Sequence, residues 1–153
     1  MTEGWRNELK YDAECEWWEG EKRLSWLGEP TVLRLYADAS GPSPTQLRLW
    51  KQIVERRGSL RSQLEATLAD YYNREVFGQL DVADVLDWFE GNTVPAPELT
   101  KPADIWKLVD CPSIAIEAMD HREPVRFAVE FACDWDHEHG ISVWIEDWRV
   151  AML

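Results

Sequence analysis

The densest group of side chains that could do chemistry lies at residues 134–140, which read D-W-D-H-E-H-G. Imidazole and carboxylate groups are the ligands that divalent metals such as zinc use in proteins. His137 and His139 are two residues apart, so in an extended chain both side chains project to the same side. One hypothesis is therefore a metal-binding module or metal-dependent enzyme centred on His137 and His139. Its further ligands have to come from elsewhere in the chain.

The plainer interpretation of the same segment is a tight polar hairpin loop. Asp and Gly are turn-forming residues, and the segment lies between two runs with the alternation of strands. Gly140 is expected to take a positive φ. In this interpretation the polar and aromatic members of the loop are candidates for a binding surface: Trp135, Asp136, Glu138 and His139.

Other catalytic signatures do not occur in the sequence. It has no G-x-S-x-G elbow, no C-x-x-C pair and no Gly-rich phosphate loop. Cys15, Cys111 and Cys133 lie in or beside strand patterns, where a free cysteine packs as a small hydrophobe. We therefore predict no enzyme, no catalytic residue and no cofactor.

The elements that must position these residues begin and end with strands. Residues 14–18, 22–27 and 31–37 alternate, with turns predicted at Glu19-Gly20-Glu21 and at residues 28–30. Strands are also predicted over 113–119, over 125–133 and from 141 onward, with a turn at 120–123. Phe127, Val129 and Phe131 form a period-two apolar stripe.

The middle of the chain is predicted to be helical. Ser43, Pro44 and Gln46 form a capping box that starts a helix, and Gly58 either ends that helix or lies within a longer one. A second apolar stripe runs from Leu60 to Tyr72. A short acidic helix is predicted over 81–90 and a helical turn over 103–108. The pattern predicts one α+β domain over residues 1–153, with an antiparallel sheet built from the N-terminal and C-terminal strands and the central helices packed on one face.

Composition excludes several classes of protein. The 153 residues carry 16 Lys+Arg and 29 Asp+Glu, a net charge of −13. Nucleic acids and anionic lipids require clustered positive charge, so neither is expected as a partner. No apolar run is long enough for a transmembrane helix, and no signal peptide is expected at the N-terminus. The odd number of cysteines fits a reducing cytoplasm.

The ten tryptophans are the second unusual feature. Tryptophan fills cores, but it is also enriched at binding hot spots. Trp17 and Trp18 are sequential, so on a strand they face opposite sides. One of them is therefore a candidate surface residue. The same surplus of tryptophan would also suit the self-interface of a homodimer.

The C-terminal run F-A-V-E-F-A-C-D-W-D-H-E-H-G-I-S-V-W-I-E-D-W-R-V resembles the closing segment of a family of uncharacterised bacterial proteins with a W-D-x-E-H-G hairpin. P-S-P-T-Q-L and the pair Tyr71-Tyr72 are similar to that family's central helices, and W-W-E-G-E-K-R-L to its opening hairpin. The resemblance implies an α+β fold and a bacterial cytoplasmic setting. It implies no activity.

Small acidic domains of this kind are similar in style to immunity proteins, which neutralise a cognate toxin. The acidic residues and exposed tryptophans would draw in and hold a basic partner. Our first hypothesis is a non-catalytic interaction protein, immunity-like, that binds a basic protein. We expect its interface to include Asp136, Glu138 and one of Trp17 or Trp18.

Overall fold

The computed structural model describes residues 8–23, 30–77, 84–87, 92–95, 98–119 and 122–153, with side chains described for these except 22, 23, 84–87, 92–95 and 137. The strands are β1 Lys10–Asp12, β2 Trp17–Arg23, β3 Pro30–Tyr36, β4 Asp84–Asp87, β5 Asn92–Pro95, β6 Val109–Ile116, β7 Arg126–Cys133, β8 Asp136–Glu146 and β9 Arg149–Met152. The helices are α1 Pro44–Glu55 and α2 Arg57–Tyr71, which continues into a π-helical turn at Tyr72–Val76, and a 3₁₀ helix at Pro102–Lys107.

Seven strands form one sheet in the order β1-β2-β3-β6-β7-β8-β9. All its neighbours are antiparallel except β3 and β6, which run parallel. The parallel pair arises because α1 and α2 intervene between β3 and β6, so the chain returns in the same direction. The α+β fold is thus confirmed, with a sheet that is mostly antiparallel.

The helices share a core with one face of the sheet. The core-facing residues of the central strands are buried, as the stripe over Phe127, Val129 and Phe131 predicted. The α2 stripe packs into the same core through Leu60, Leu64 and Leu68, and the 3₁₀ helix contributes Ile105. The opposite face of the sheet is made by the other alternate residues of each strand.

Helix α1 begins as the sequence predicts. Ser43 Oγ accepts the Gln46 backbone N–H at 3.1 Å, and Gln46 Oε1 accepts the Ser43 N–H at 2.9 Å. The Gln46 side chain is also buried and donates through Nε2 to the carbonyl oxygens of Tyr36, Ile116 and Glu117. One residue therefore caps α1 and ties it to the ends of both parallel strands.

The N-terminal turn predicted at Glu19-Gly20-Glu21 is wrong, because these residues lie inside β2. The turn lies at residues 13–16, and Gly20 sits in the middle of β2, paired with Leu33. A Cβ at Gly20 would lie 2.4 Å from the carbonyl oxygen of Glu8. Glycine is present at this position because another backbone segment approaches closely, not because the chain turns.

Gly58 does not end a helix. The break between α1 and α2 is at Arg56, whose φ of −96° and ψ of 15° depart from helical values. Gly58 lies in the first turn of α2, and a Cβ there would meet no atom within 4 Å. Gly58 does not form a left-handed cap, since its φ is not positive.

The predicted acidic helix over 81–90 is wrong where the structure describes it. Residues 84–87 form β4, which pairs antiparallel with β5; Val85 lies opposite Val94. Cross-strand pairing with a distant segment replaces the local helical pattern. The rest of that prediction lies outside the described residues, as do parts of the predicted strand over 22–27 and of the turns predicted at 28–30 and 120–123; Pro30 is the first residue of β3.

In the ranges that the structure describes, no helix is long and apolar enough to cross a bilayer.

Candidate functional site

The segment at 134–140 is not a loop. Cys133 pairs with Asp136 and Phe131 pairs with Ile141, so residues 137–140 bulge opposite Ala132 alone. Only residues 134 and 135 form the turn, and β8 begins at Asp136. The predicted polar loop is therefore a two-residue turn followed by a long bulge in a strand, and a bulge re-aims the side chains that it carries.

The bulge is held by its own residues. Asp136 Oδ1 accepts the backbone N–H of His139 at 3.1 Å and lies 3.1 Å from the Nδ1 of the same residue. This backbone hydrogen bond, which favours the charged form, lowers the pKa of Asp136 below its usual value. Gly140 has a φ of +67°, which confirms the prediction of a positive φ. Asp136 and His139 thus have a clear structural role.

The described side chains do not provide the set of ligands that the metal hypothesis requires. Among the described side chains, no three His, Cys, Asp or Glu groups are arranged to hold a metal ion. His139 bonds to Asp136, and Glu138 points to solvent. The side chain of His137 lies outside those the structure describes.

Two of the candidate tryptophans belong to the core side of the sheet. The Trp18 side chain is buried, and its Nε1 donates to the Asp38 carbonyl oxygen at 2.8 Å. Trp135 packs against Tyr71 and Tyr72, with ring centroids 6.4 and 5.5 Å away. Trp17 lies on the other side of β2 and is half-buried. The opposite orientation of Trp17 and Trp18 is as the strand period requires.

The structure does not bring Trp17 together with Asp136 and Glu138. Trp17 pairs with Tyr36 at the end of β3 that lies near the start of β7, whereas Asp136 pairs with Cys133 at the end of β7. The seven residue-to-residue steps from Arg126 to Cys133 span about 23 Å at 3.3 Å per step. An interface combining these candidates is therefore not a single small patch.

Trp17 instead belongs to a surface made by the sheet face opposite the helices, which we call the acidic aromatic face. The register places one row of residues straight across all seven strands: Lys10, Glu19, Arg34, Ala115, Ala128, Trp144 and Met152. A flanking row contains Glu21, Val32, Ser113, Glu130 and Ser142. At the other flank, one row contains Asp12, Trp17 and Tyr36, and another contains Arg126, Glu146 and Arg149.

One end of this face is organised around Trp17. The Arg34 guanidinium lies 4.9 Å from the Trp17 ring centroid and forms an ion pair of 2.9 Å with Glu19. The Tyr36 ring meets the Trp17 ring edge-on, with centroids 5.5 Å apart. Burial, followed by the nearby Glu130 carboxylate, raises the pKa of Tyr36. The Tyr36 hydroxyl therefore stays protonated and can donate a hydrogen bond.

The other end repeats the same motif around Trp144. The Arg126 guanidinium lies 4.3 Å from the Trp144 ring centroid, and its Nε is 3.4 Å from a Glu146 carboxylate oxygen. Beside this group opens a cavity of about 320 Å³, whose lining includes Arg126 and three carboxylates from Glu117, Glu123 and Glu146. The cavity is therefore suited to a cationic side chain.

Small residues in the middle of the face, Ala115 and Ala128, are buried, so its accessible surface is formed by the longer side chains. The strands carry five carboxylates on this face (Asp12, Glu19, Glu21, Glu130 and Glu146) and four cationic groups (Lys10, Arg34, Arg126 and Arg149), and the cavity adds the carboxylates of Glu117 and Glu123. Half-buried aromatic rings thus lie within a net negative surface.

Sequence analysis missed most of this face. Arg34, Tyr36, Glu130 and Trp144 were not singled out, although each alternates with a core residue of its strand. The polar positions between the apolar stripes were the available signal. What the sequence lacked was the register, which places these residues next to one another.

A search of curated proteins finds no match to this chain. No solved structure matches it either. One family model, described as a domain of unknown function, DUF6985, matches residues 5–153. Because the match spans nearly all of the sequence, the chain belongs to the DUF6985 family.

Proposed function

We propose that this protein is a non-catalytic interaction domain that binds a basic partner protein through the acidic aromatic face. The observation that carries the proposal is the composition of that face: Trp17, Tyr36 and Trp144 are half-buried among an excess of glutamates, on the side of the sheet away from the helices. Rigid aromatic rings provide contact area, and the surrounding negative charge attracts a cationic partner.

Arg34 and Arg126 on the face support this interpretation. Each already lies over a tryptophan ring, which shows that the rings can hold a guanidinium group. An arginine or lysine of the partner would enter the cavity beside Arg126, where carboxylates outnumber the single guanidinium. We extend the proposal to an immunity-like role in a bacterial cytoplasm, in which the partner is a basic toxin.

The test is capture from host lysate on the immobilised protein, with bound proteins identified by mass spectrometry after washes of increasing salt. The native protein is compared with a triple variant, Glu21→Gln, Glu130→Gln and Glu146→Gln, which removes three charges from the face without changing side-chain size. The matched control carries Glu55→Gln, Asp70→Asn and Glu98→Gln, three exposed positions outside the face.

We expect a basic protein to be retained by the native and control proteins at low salt and released at high salt, because exposed charges are screened. The triple variant should retain much less of it. Equal retention by the triple variant, or capture of no basic protein, would overturn the proposal.

A further inference from the structure

A second surface lies at the edge of the sheet, between α2 and the β8–β9 hairpin. In the sheet as described, β9 is the last strand and is hydrogen-bonded only to β8. A groove of about 590 Å³ runs beside it, and its lining includes Arg56, Gln63, Thr67, Trp148, Arg149 and Val150. An open strand edge next to a helix is the geometry in which proteins accept an additional strand.

Gln63 occupies the place of that strand. Its Nε2 donates to the Trp148 carbonyl oxygen at 2.9 Å, and its Oε1 accepts the Val150 N–H at 3.3 Å. A residue of a parallel strand lying opposite Arg149 would make the same two bonds with its backbone N–H and carbonyl. The edge is therefore set up to receive an extended backbone. When no strand is bound, the Gln63 side-chain amide makes both of these hydrogen bonds with β9.

Charge identifies the occupant. Arg56 and Arg149 line the groove, and neither makes an ion pair with any described residue, whereas Asp147 is the only carboxylate among the lining residues. The Arg56 guanidinium lies 4.4 Å from the Trp148 ring centroid, which orients it. In a protein with a net charge of −13, a groove with unpaired arginines stands out.

We infer that this groove binds an extended acidic segment of a partner protein, which adds to β9 as a parallel strand and displaces the Gln63 amide. One carboxylate of the segment would lie opposite Arg149 as a cross-strand pair, and a second would meet the oriented guanidinium of Arg56. This site adjoins the acidic aromatic face, because Arg149 lies opposite Glu146, whose carboxylate is paired with Arg126. It takes an acidic ligand instead of a basic one and does not depend on the function of that face.

The test uses a phage-displayed library of random dodecapeptides selected on the native protein, with selected peptides then synthesised and their affinities measured by fluorescence anisotropy. We expect acidic sequences with high strand propensity. The double variant Arg56→Glu with Arg149→Glu should weaken their binding by about tenfold or more, because both attractive charges become repulsive. A tenfold loss of affinity corresponds to about 1.4 kcal/mol. The control, Arg48→Glu with Lys51→Glu on the exposed side of α1, makes the same change in net charge and should bind normally.

Two further readouts locate the peptide. Its addition should shift the NMR signals of the Val150 amide and the Gln63 side-chain amide, and Gln63→Ala should tighten binding severalfold because a competitor is removed. Selected peptides without acidic residues, undiminished binding to the Arg56/Arg149 variant, or shifts elsewhere would overturn the inference. If the protein forms a dimer that the peptide does not dissociate, the groove would be assigned to the contact between two copies of the chain. That result would also overturn the inference.

Discussion

The side-chain amide of Gln46 donates a hydrogen bond of 2.9 Å to the carbonyl oxygen of Tyr36, across the junction between α1 and the sheet. The same nitrogen reaches the carbonyl oxygens of Ile116 and Glu117, so the parallel strands β3 and β6 end on one buried polar group. A buried amide with all its partners satisfied stabilises one arrangement of helix and sheet, because any other leaves polar groups unpaired.

We therefore expect Gln46→Glu to lower the free energy of unfolding by about 3 kcal/mol near neutral pH, since a carboxylate would face three carbonyl oxygens. Ser43→Ala, which removes only the cap, should lower it by about 1 kcal/mol. Urea denaturation followed by circular dichroism measures both. Equal effects of the two substitutions would show that the bonds to the strands contribute nothing beyond the cap.

Two glycines are expected to respond to alanine in opposite directions. A Cβ at Gly140 would lie 2.3 Å from the Phe131 carbonyl oxygen, and its φ is +67°, so Gly140→Ala should destabilise the fold by at least about 2 kcal/mol. Gly58 lies in a helix with open space around it, so Gly58→Ala should stabilise the fold by about 0.5–1 kcal/mol. Thermal unfolding of the two variants measures both effects. If both unfolding midpoints shifted in the same direction, this account would be wrong.

The β8–β9 turn contains a tryptophan in the left-handed region. Trp148 has a φ of +68°, yet its ring packs against Phe127 with centroids 5.8 Å apart. Trp148→Ala loses the packing and keeps the strain, whereas Trp148→Gly loses the packing and removes the strain. We expect the glycine variant to be more stable than the alanine variant by about 1 kcal/mol, in chemical denaturation. The reverse order would show that the turn changes conformation when the ring is removed.

Tyr72 is expected to limit stability in alkali. Burial, with a smaller contribution from Asp134, raises the pKa of Tyr72 to about 12 from 10.0. Because the folded state favours the protonated hydroxyl, this contribution is complete below pH 10 and is lost as the pH rises through 12. In urea titrations over this range, Tyr72→Phe should reduce the decline in unfolding free energy by an amount on the order of 2 kcal/mol. An unchanged slope in the variant would assign the decline to other groups.

The three cysteines should differ in reactivity. Cys15 and Cys111 are exposed, whereas Cys133 is buried, and burial raises its pKa to about 11. The pKa of Cys15 is also raised, by desolvation and by the Asp12 carboxylate, but its side chain is accessible. A thiol-specific reagent at pH 8 should therefore label Cys15 and Cys111 in the native protein and Cys133 only in denaturant, because the thiolate is the reactive form. Peptide mapping identifies the protected residue, and rapid labelling of Cys133 in the native protein would contradict the described packing.

The sequence by itself determined the features that depend on neighbours along the chain. The Ser43–Gln46 capping box is confirmed because its bonds join residues three apart. The stripes in β7 and β8 are confirmed because alternation in a strand directly sorts side chains between two faces, as Phe131 and Ile141 show by their burial on the core face. These local rules were sufficient for the fold class and for the opposite orientation of Trp17 and Trp18.

Only the tertiary structure decided the features that depend on distant segments. Gly20 was mistaken for a turn because the Glu8 carbonyl that excludes a side chain there is brought close by folding. Residues 84–87 pair with 92–95 instead of continuing a helix, since strand pairing is not a local property. The acidic aromatic face is likewise set by register: Arg34 and Trp144 share one row because three strand pairings align them, and no spacing along the chain encodes that alignment.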